Sequence, residues 1–429
     1  MMYDFINEYI NDKNILILGF GKEGKSTYNI LKQLNTYKSL AITDQNKIDN
    51  IYDVDKYYYG DNYLECINDY DIVFKSPGIS INYNEYNTIF TSQTELFLNK
   101  YYKQIIGITA TKGKSTTTSM IYHILNNNID NVLLCGNIGV PCFNIIKDIN
   151  NDSIIVFELA CHQLETVKVS PHISVLLNIY KDHLDHYKSY DAYKQTKLNI
   201  YKYQTNKDYL FTTDDLIYDI SDALSNVKVI NATNTNCISK IKNTLDKTNL
   251  IGEHNLKNAT VAYYVCKLFN ISIDNFTKAL ETYKALSHRI EYIGNYNGID
   301  YYDDSISTTS ESTIKAILGI TNLETILIGG LDRGIDYNIL IDSLLNSNIK
   351  NIILMYESGL RIYNTIKTNN DKNIIYVKEL KEACNKAISI TNKGNACLLS
   401  PAAASYDSFK NYIEKGLTYQ KYIKGSVKD

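Results

Sequence analysis

Residues Ile105–Leu125 read IIGITATKGKSTTTSMIYHIL. An apolar β-rich run, IIGIT, leads into the short polar loop ATKGK and then into STTTSMIYHIL, whose apolar residues recur at helical spacing. Strand, loop and helix in that order, with Gly113-Lys114-Ser115 at the helix start, form the setting in which backbone N–H groups and a lysine cradle phosphates. One part of the usual pattern is missing. A G-x-x-x-x-G-K-S loop carries a glycine five residues ahead of Gly113, and position 108 is isoleucine. The context survives that loss: Lys114 can reach the β- and γ-phosphates of a nucleotide, and the hydroxyl of Ser115 or Thr116 can hold Mg²⁺. A chance Gly-Lys-Ser turn is the competing reading, and it leaves the coincidence of strand, loop and helix unexplained.

Outward from this stretch, short apolar runs alternate with helical patterns. NILIL, KSTYNILKQL and LAIT precede it, and IIVFE, SVLLNI, TILIGG, NIILMY, NIIYV and ACLLS follow. Such alternation predicts an α/β fold of mostly parallel sheets with crossover helices, and ligands then sit beyond the carboxyl ends of the strands. At about 150 residues per domain the length suits three domains. The expected sections are 1–98, 99–290 and 291–429.

In the first section Gly19-Phe20-Gly21-Lys22-Glu23-Gly24 follows the strand NILIL and opens a helix, a G-x-G-x-x-G turn that lets backbone N–H groups approach a diphosphate. The next strand, LAITD, ends at Asp44, where a dinucleotide fold places its ribose-binding acid. A dehydrogenase is the rival these residues raise, and a plain structural turn the other. The strand DIVFKSPGI ends in Ser76-Pro77-Gly78, which exposes a hydroxyl and N–H groups at the same rim or forms an ordinary β-turn.

In the second section SIIVFELA ends in Glu158, a carboxylate placed where a metal acid would sit beside a phosphate loop. The strand HISVLLNIY then runs into KDHLDHY, bringing Asp182, His183, Asp185 and His186 to that rim. A solvated strand end and surface histidines are the ordinary alternatives.

Composition removes several classes. Lys+Arg 44 against Asp+Glu 47 leaves a net charge of −3, so no basic field exists to hold DNA or RNA. No run of apolar residues reaches the length of a membrane span, and the start MMYDFINEYINDKNILILGFG lacks the basic region of an export signal. The eight cysteines form no C-x-x-C pair, which fits reduced thiols and a cytoplasmic location.

With these pieces in order, the chain resembles the Mur ligases, ATP-dependent amide-forming enzymes of peptidoglycan synthesis. Their loop G-T-N/K-G-K-S/T corresponds to Ala110-Thr111-Lys112-Gly113-Lys114-Ser115, with alanine for the first glycine. GNIGVP (Gly136–Pro141), ELACHQLE (Glu158–Glu165), NIYKDHLDHY (Asn178–Tyr187), KLNIY from Lys197, GEHNLKNA (Gly252–Ala259) and LSHRIE (Leu286–Glu291) have counterparts in sequence order. In the last section YYDDSISTTSEST (Tyr301–Thr313) and LLSPAAASYDSFKNYIEKG (Leu398–Gly416) are similar to the glutamate-adding members. The resemblance implies a Rossmann-like first domain, a P-loop ATPase in the middle and a Rossmann-like third domain, working as a cytoplasmic monomer.

It also implies roles. Gly21, Lys22, Asp44, Ser76, Gly78 and Asn137 would bind the UDP-sugar substrate, UDP-MurNAc-L-Ala, which displaces the dehydrogenase. Thr111, Lys112, Gly113, Lys114, Ser115, Thr116, Asn255, Asn258, Arg289 and Asp304 would hold ATP, and Ser115, Glu158, His183 and Lys197 would gather around Mg²⁺. In relatives the lysine at 197 is carbamylated by CO₂, and a lysine with an ordinary pKa near 10.4 needs local help to offer a free amine. A plain structural lysine is the alternative there. Thr308, Arg333, Ser405 and Tyr412 would receive glutamate. Ile306 stands where many relatives have lysine and Tyr412 where they have phenylalanine, so D- and L-glutamate both stay open as acceptors. A folate polyglutamate ligase shares the ATPase without the first domain, and a non-catalytic UDP-sugar sensor would keep the fold alone.

Overall fold

The computed structural model describes the chain except residues 1, 49–51, 183, 188, 214–215, 217–219, 221–227, 232–236, 249, 251–252, 285–286, 370, 406–408 and 426–429. Apolar runs bounded by polar residues become strands, those inside each sheet buried on both faces, as parallel sheets require, and those at the edges partly exposed. The first sheet comprises β1 (Asn14–Leu18), β2 (Ser39–Asp44), β3 (Lys56–Tyr59), β4 (Ile72–Lys75) and β5 (Ile89–Thr91). Its order is β3-β2-β1-β4-β5 with every pair parallel. The order reverses between β1 and β4, and the crevice beyond their carboxyl ends is the ligand position of such a sheet.

The second sheet comprises β6 (Ile105–Thr109), β7 (Val132–Gly136), β8 (Ile154–Glu158), β9 (Ile173–Leu176), β10 (Tyr209–Thr212) and β11 (Lys228–Asn231). The order β11-β10-β9-β6-β8-β7 is again wholly parallel and puts β6 between β8 and β9. The loop after β6 is therefore flanked by whatever follows those two strands. Helix Lys114–Asn126 buries Met120, Ile121, Ile124 and Leu125, a stripe of helical period that anchors the loop from behind.

The third sheet comprises β12 (Glu291–Tyr296), β13 (Ile299–Asp303), β14 (Leu323–Ile328), β15 (Asn351–Met355), β16 (Asn373–Val377) and β17 (Ala396–Leu399), in the order β12-β13-β17-β14-β15-β16. It is mostly parallel, as expected, with one antiparallel pair at its edge between β12 and β13. Asn297 at φ 56° and Gly298 at φ 83° form the connecting turn, two left-handed residues whose twist matches that of a tight hairpin.

The chain divides into two compact units, Met1–Thr244 with Glu253–Tyr283, and Leu245–Gly252 with Lys284–Asp429. The first unit contains the first two sheets and a common apolar core in which Ile17, Phe74, Phe97, Ile105 and Phe157 take part. The second contains the third sheet with its own cores on its two faces. Among the described residues no helix is long and apolar enough to cross a membrane.

Candidate active site

Ile108 lies inside β6, fully buried and paired with Glu158 on one side and Val175 on the other. The chain does not turn there, so the distant glycine of the common pattern has no task. The turn is confined to Ala110–Gly113. Gly113 has φ 87°, and a Cβ built on it would stand 2.9 Å from Oδ1 of Asn258. A left-handed backbone and a side chain against that face both require glycine. Lys114, Ser115 and Thr116 follow as the first turn of helix Lys114–Asn126, and the leading N–H groups of a helix, which have no acceptor within it, are the groups that bind phosphate oxygens at such a terminus.

Residues after β9 hold the loop's shape. The Lys112 N–H donates to Asn178 Oδ1 at 2.8 Å, and Asn178 Nδ2 returns a bond to the Lys112 carbonyl at 2.8 Å. The Thr111 N–H donates to the Asn178 carbonyl, while its hydroxyl lies 2.9 Å from the Tyr193 hydroxyl. Lys112 Nζ is 4.0 Å from Asp182.

Glu158, at the end of β8, faces this loop. It is fully buried rather than a solvated strand end. Its Oε1 accepts from Ser115 Oγ at 3.0 Å and from Asn137 Nδ2 at 2.8 Å. Its Oε2, also buried, has no hydrogen-bond partner among the described residues. A buried carboxylate oxygen left without a donor, beside a loop serine, is the donor set that a hard divalent cation takes; the residues present fit Mg²⁺. His183 and the Asp185 side chain lie outside the described residues.

Lys197 projects from helix Tyr190–Leu198 toward the same loop. It is almost fully buried, and Nζ donates to the Ala110 carbonyl at 2.8 Å, 4.9 Å from the centroid of the Tyr193 ring. Burial lowers its pKa to about 7, and the charge of Lys114 acts in the same direction. This is the local help that a lysine needs to present a neutral amine. Asn255 and Asn258 are buried on helix Glu253–Lys267, which packs on the loop's own helix.

At the rim of the first sheet, Gly19 follows β1 with φ 88°, and its missing Cβ would clash with Ile79 Cδ1 at 2.6 Å and Ser76 Cβ at 2.9 Å. Ser76 Oγ donates to the Gly19 carbonyl at 2.7 Å, closing β1 and β4 together at the switch point. Asp44 Oδ2 accepts the Phe20 N–H at 2.7 Å, so the acid after β2 shapes the glycine turn. Gly21, Lys22 and Gly78 are exposed around it. Gly21, Asp44 and Ser76 thus surround one crevice, whereas Asn137 belongs to the Glu158 site.

In the second unit, Asp304 follows β13 and is buried; burial raises its pKa to about 7, and Ser400 Oγ donates to it at 2.7 Å. Arg289 lowers the pKa of that carboxyl, and the buried Arg289 Nε has no hydrogen-bond partner among the described residues. Ile306 and Thr308 are half-buried in the segment that follows. Arg333 is exposed on the loop after β14, Tyr412 begins helix Tyr412–Gly425, and Ser405 is buried after β17.

One constellation escaped the sequence reading. Glu165, within ELACHQLE, accepts from His186 Nε2 at 2.6 Å and from the Tyr187 hydroxyl at 3.1 Å, and pairs with Lys75 of β4 at 3.3 Å. The Tyr187 hydroxyl also meets His162 Nδ1 at 3.0 Å. Burial opposes the Glu165 charge, yet His162, Lys75 and His186 hold its pKa down at about 2. Burial likewise opposes a charged His162, but bonds to Cys161 and Glu165 raise its pKa to about 9. Lys75 and Glu165 are 90 positions apart, and no local pattern signals such a pair. This network and the Glu23–Gln163 bond at 2.7 Å tie the first sheet to the second.

A phosphate loop at the switch point of a parallel sheet, facing a buried carboxylate and a buried lysine, defines a nucleotide-dependent P-loop enzyme. The Mur ligase middle domain family matches residues 108–266. The chain is 30% identical to the UDP-N-acetylmuramoylalanine–D-glutamate ligase of Caldicellulosiruptor bescii, across 96% of this chain and 98% of that one. It is 30% identical to the enzyme of the same name from Clostridioides difficile, across 96% and 99%. Among solved structures it is similar in fold to the UDP-N-acetylmuramate–alanine ligase of Thermotoga maritima, with a TM-score of 0.60, 16% identity and coverage of 97% and 100%. The MurF ligase of the same organism, solved with ADP, gives a TM-score of 0.58, 14% identity and coverage of 98% and 97%. The chain belongs to the Mur ligase family and is an ATP-dependent amide-forming ligase.

Proposed function

We propose that the chain joins D-glutamate to the alanine carboxylate of UDP-N-acetylmuramoyl-L-alanine, with release of ADP and phosphate. The observation that carries this reading is the Ser115–Glu158 contact of 3.0 Å, with the second Glu158 oxygen buried and unpartnered, at the mouth of the phosphate loop. In this reading residues 1–98 bind the UDP-sugar, 99–290 the ATP and 291–429 the acceptor.

A carboxylate does not condense with an amine until it is activated. An oxygen of the alanine carboxylate attacks the γ-phosphorus of ATP, the bond to the β–γ bridging oxygen breaks, and an acyl phosphate and ADP result. Two anions must meet for this, so neutralising charge is the protein's main task. Lys114 and the N–H groups of its helix's first turn line the phosphates, and Asn178 keeps the loop rigid behind them. Ser115, Glu158 and His183 would hold Mg²⁺, and a carbamate on Lys197 would add a further oxygen donor; the ion would supply positive charge at the phosphates. Asn255, Asn258, Arg289 and Asp304 would grip the rest of ATP.

The glutamate amine, as the free base, then attacks the acyl carbon, phosphate leaves, and the proton lost from nitrogen passes to solvent or to a nearby base. Thr308, Arg333, Ser405 and Tyr412 would orient that amino acid. Incubation with UDP-MurNAc-L-Ala, ATP, Mg²⁺ and each glutamate enantiomer tests the reading. ADP release is expected with D-glutamate, and no release with either enantiomer would overturn it.

A further inference from the structure

In the first compact unit a second group of donor atoms gathers beside the one at the phosphate loop. One ring nitrogen from each of His162 and His186 and one carboxylate oxygen of Glu165 lie within 4.8 Å of one another. Glu165 Oε1 has His186 Nε2 at 2.6 Å and His162 Nδ1 at 3.6 Å, and the two imidazole centroids are 4.2 Å apart. His162 and Glu165 belong to the segment after β8, and His186 to the short helix Leu184–Tyr187 after β9. The cluster therefore joins the two segments that flank the phosphate loop. Its side chains are 12–19% exposed, so an ion reaches them without unfolding the chain.

The carboxylate is held from behind. Its Oε2 faces Lys75 Nζ at 3.3 Å and the Tyr83 hydroxyl at 3.4 Å, which turns Oε1 toward the imidazoles. Outer groups that fix a carboxylate and a ring in this way are what orient the ligands of a metal. Tyr187 does the same for the ring: its hydroxyl lies 3.0 Å from His162 Nδ1 and 3.1 Å from Glu165 Oε1, and its own ring is stacked on His162 with an interplanar angle of 3°. Around Zn²⁺, with bonds of roughly 2.0–2.2 Å, tetrahedral ligand atoms stand about 3.3 Å apart. The contacts of 2.6 and 3.6 Å bracket that spacing, and small ring movements reach it. Two imidazoles and a carboxylate suit Zn²⁺ and its borderline neighbours, whereas Mg²⁺ demands oxygen ligands and keeps its waters. An entering ion displaces the proton that His162 shares with Glu165, so part of its charge replaces charge already present.

We propose that His162, Glu165 and His186 form a binding site for a divalent transition ion of the zinc class, with water as the fourth ligand. The ion clamps the segments after β8 and β9 to each other and, through Lys75, to β4 of the first sheet. The site shares no ligand with the Ser115 and Glu158 donor set, and it stands whichever amino acid the enzyme joins.

Full-length protein stripped of metal by chelation, dialysed into excess Mg²⁺ to fill the oxygen donors at the phosphate loop, and titrated with Zn²⁺ tests the site. Equilibrium dialysis is expected to find one ion per chain with a Kd at or below about 1 μM. The melting temperature is expected to rise by about 5–10 °C at a hundredfold excess over Kd. His162→Phe and His186→Gln each remove a nitrogen ligand and are expected to weaken Zn²⁺ binding more than about 100-fold, since loss of an outer group alone costs 10–100-fold. Glu158→Gln is expected to bind Zn²⁺ as wild type does. Less than one ion per chain in wild type, or equal binding by both histidine variants, would overturn the site. So would loss of zinc in Glu158→Gln, which would put the ion at the phosphate loop. Should one histidine variant fail to fold, the other decides; should both fail, survival or loss of zinc in Glu158→Gln decides.

Discussion

The amine of Lys197 lies 2.8 Å from the Ala110 carbonyl, at the first residue of the phosphate loop. In the proposed function a cation in that position would compete with Mg²⁺ and Lys114 for the same phosphates. Burial resolves the conflict by lowering the lysine's pKa to about 7, so that a neutral amine, the form that attacks CO₂, exists near neutrality. With ¹³C-labelled bicarbonate the wild-type protein is expected to show a carbamate resonance that Lys197→Met lacks. That variant is expected to lose on the order of 10²–10³ in rate. An unmodified Lys197 in protein that is turning over would remove the carbamate from the mechanism.

Gly113 and Asn258 meet across the loop, and the contact predicts a coupled pair. Gly113→Ala places a Cβ 2.9 Å from Asn258 Oδ1 and strains a backbone at φ 87°, which together are expected to cost about 1–2 kcal/mol and to weaken ATP binding. Gly113→Ala combined with Asn258→Ala relieves the clash but keeps the left-handed strain. Thermal unfolding of the single and double variants is therefore expected to be non-additive, with the double variant recovering part of the loss.

Lys114 and Glu158 divide one task, and their variants are expected to fail differently. Lys114→Ala is expected to abolish ATP-dependent ADP release while UDP-substrate affinity, measured by calorimetry, stays within about 3-fold, since the proposed function puts that substrate's UDP end at the other sheet. Glu158→Gln keeps the shape of the side chain and removes its charge. It is expected to move the Mg²⁺ dependence to concentrations at least tenfold higher, on the order of the 1.4 kcal/mol that one weakened charged contact is worth. Chelation of Mg²⁺ is expected to stop ADP release by the wild type and by Glu158→Gln reversibly.

Legibility from sequence followed burial. NILIL, IIGIT, IIVFE and NIIYV are strands as read, because continuous apolar runs between polar boundaries leave the backbone one way to bury them. KYYY and IFT, at the edges of the first sheet, are short and partly exposed, and nothing in their composition separates them from loops. The β12–β13 hairpin did carry a signal, Asn297-Gly298, which the weak alternation of its flanks obscured. Ser115 and Glu158 were legible together since one opens the helix after β6 and the other ends the neighbouring β8, on one rim. Lys197 was not, since a lysine in a helix looks the same whether it faces water or the core. The resemblance singled it out.

The Glu165 network makes the stability of the first unit depend on pH in a predictable direction. Glu165 titrates at about 2 in the folded chain against an ordinary 4.5, so its contribution is complete above 4.5 and is lost as pH falls toward 2. His162 titrates at about 9 against an ordinary 6.5, so its contribution is complete below 6.5 and is lost as pH rises through 9. The network is therefore strongest between pH 4.5 and 6.5. His162→Phe keeps an aromatic ring stacked near Tyr187 but removes the charge. It is expected to flatten the fall in melting temperature of the first unit between pH 6.5 and 9, and to shrink the acid limb without abolishing it, since His162 is the largest of the groups that hold the Glu165 pKa down while Lys75 and His186 remain. A basic limb as steep in the variant as in wild type would locate its origin in some other group.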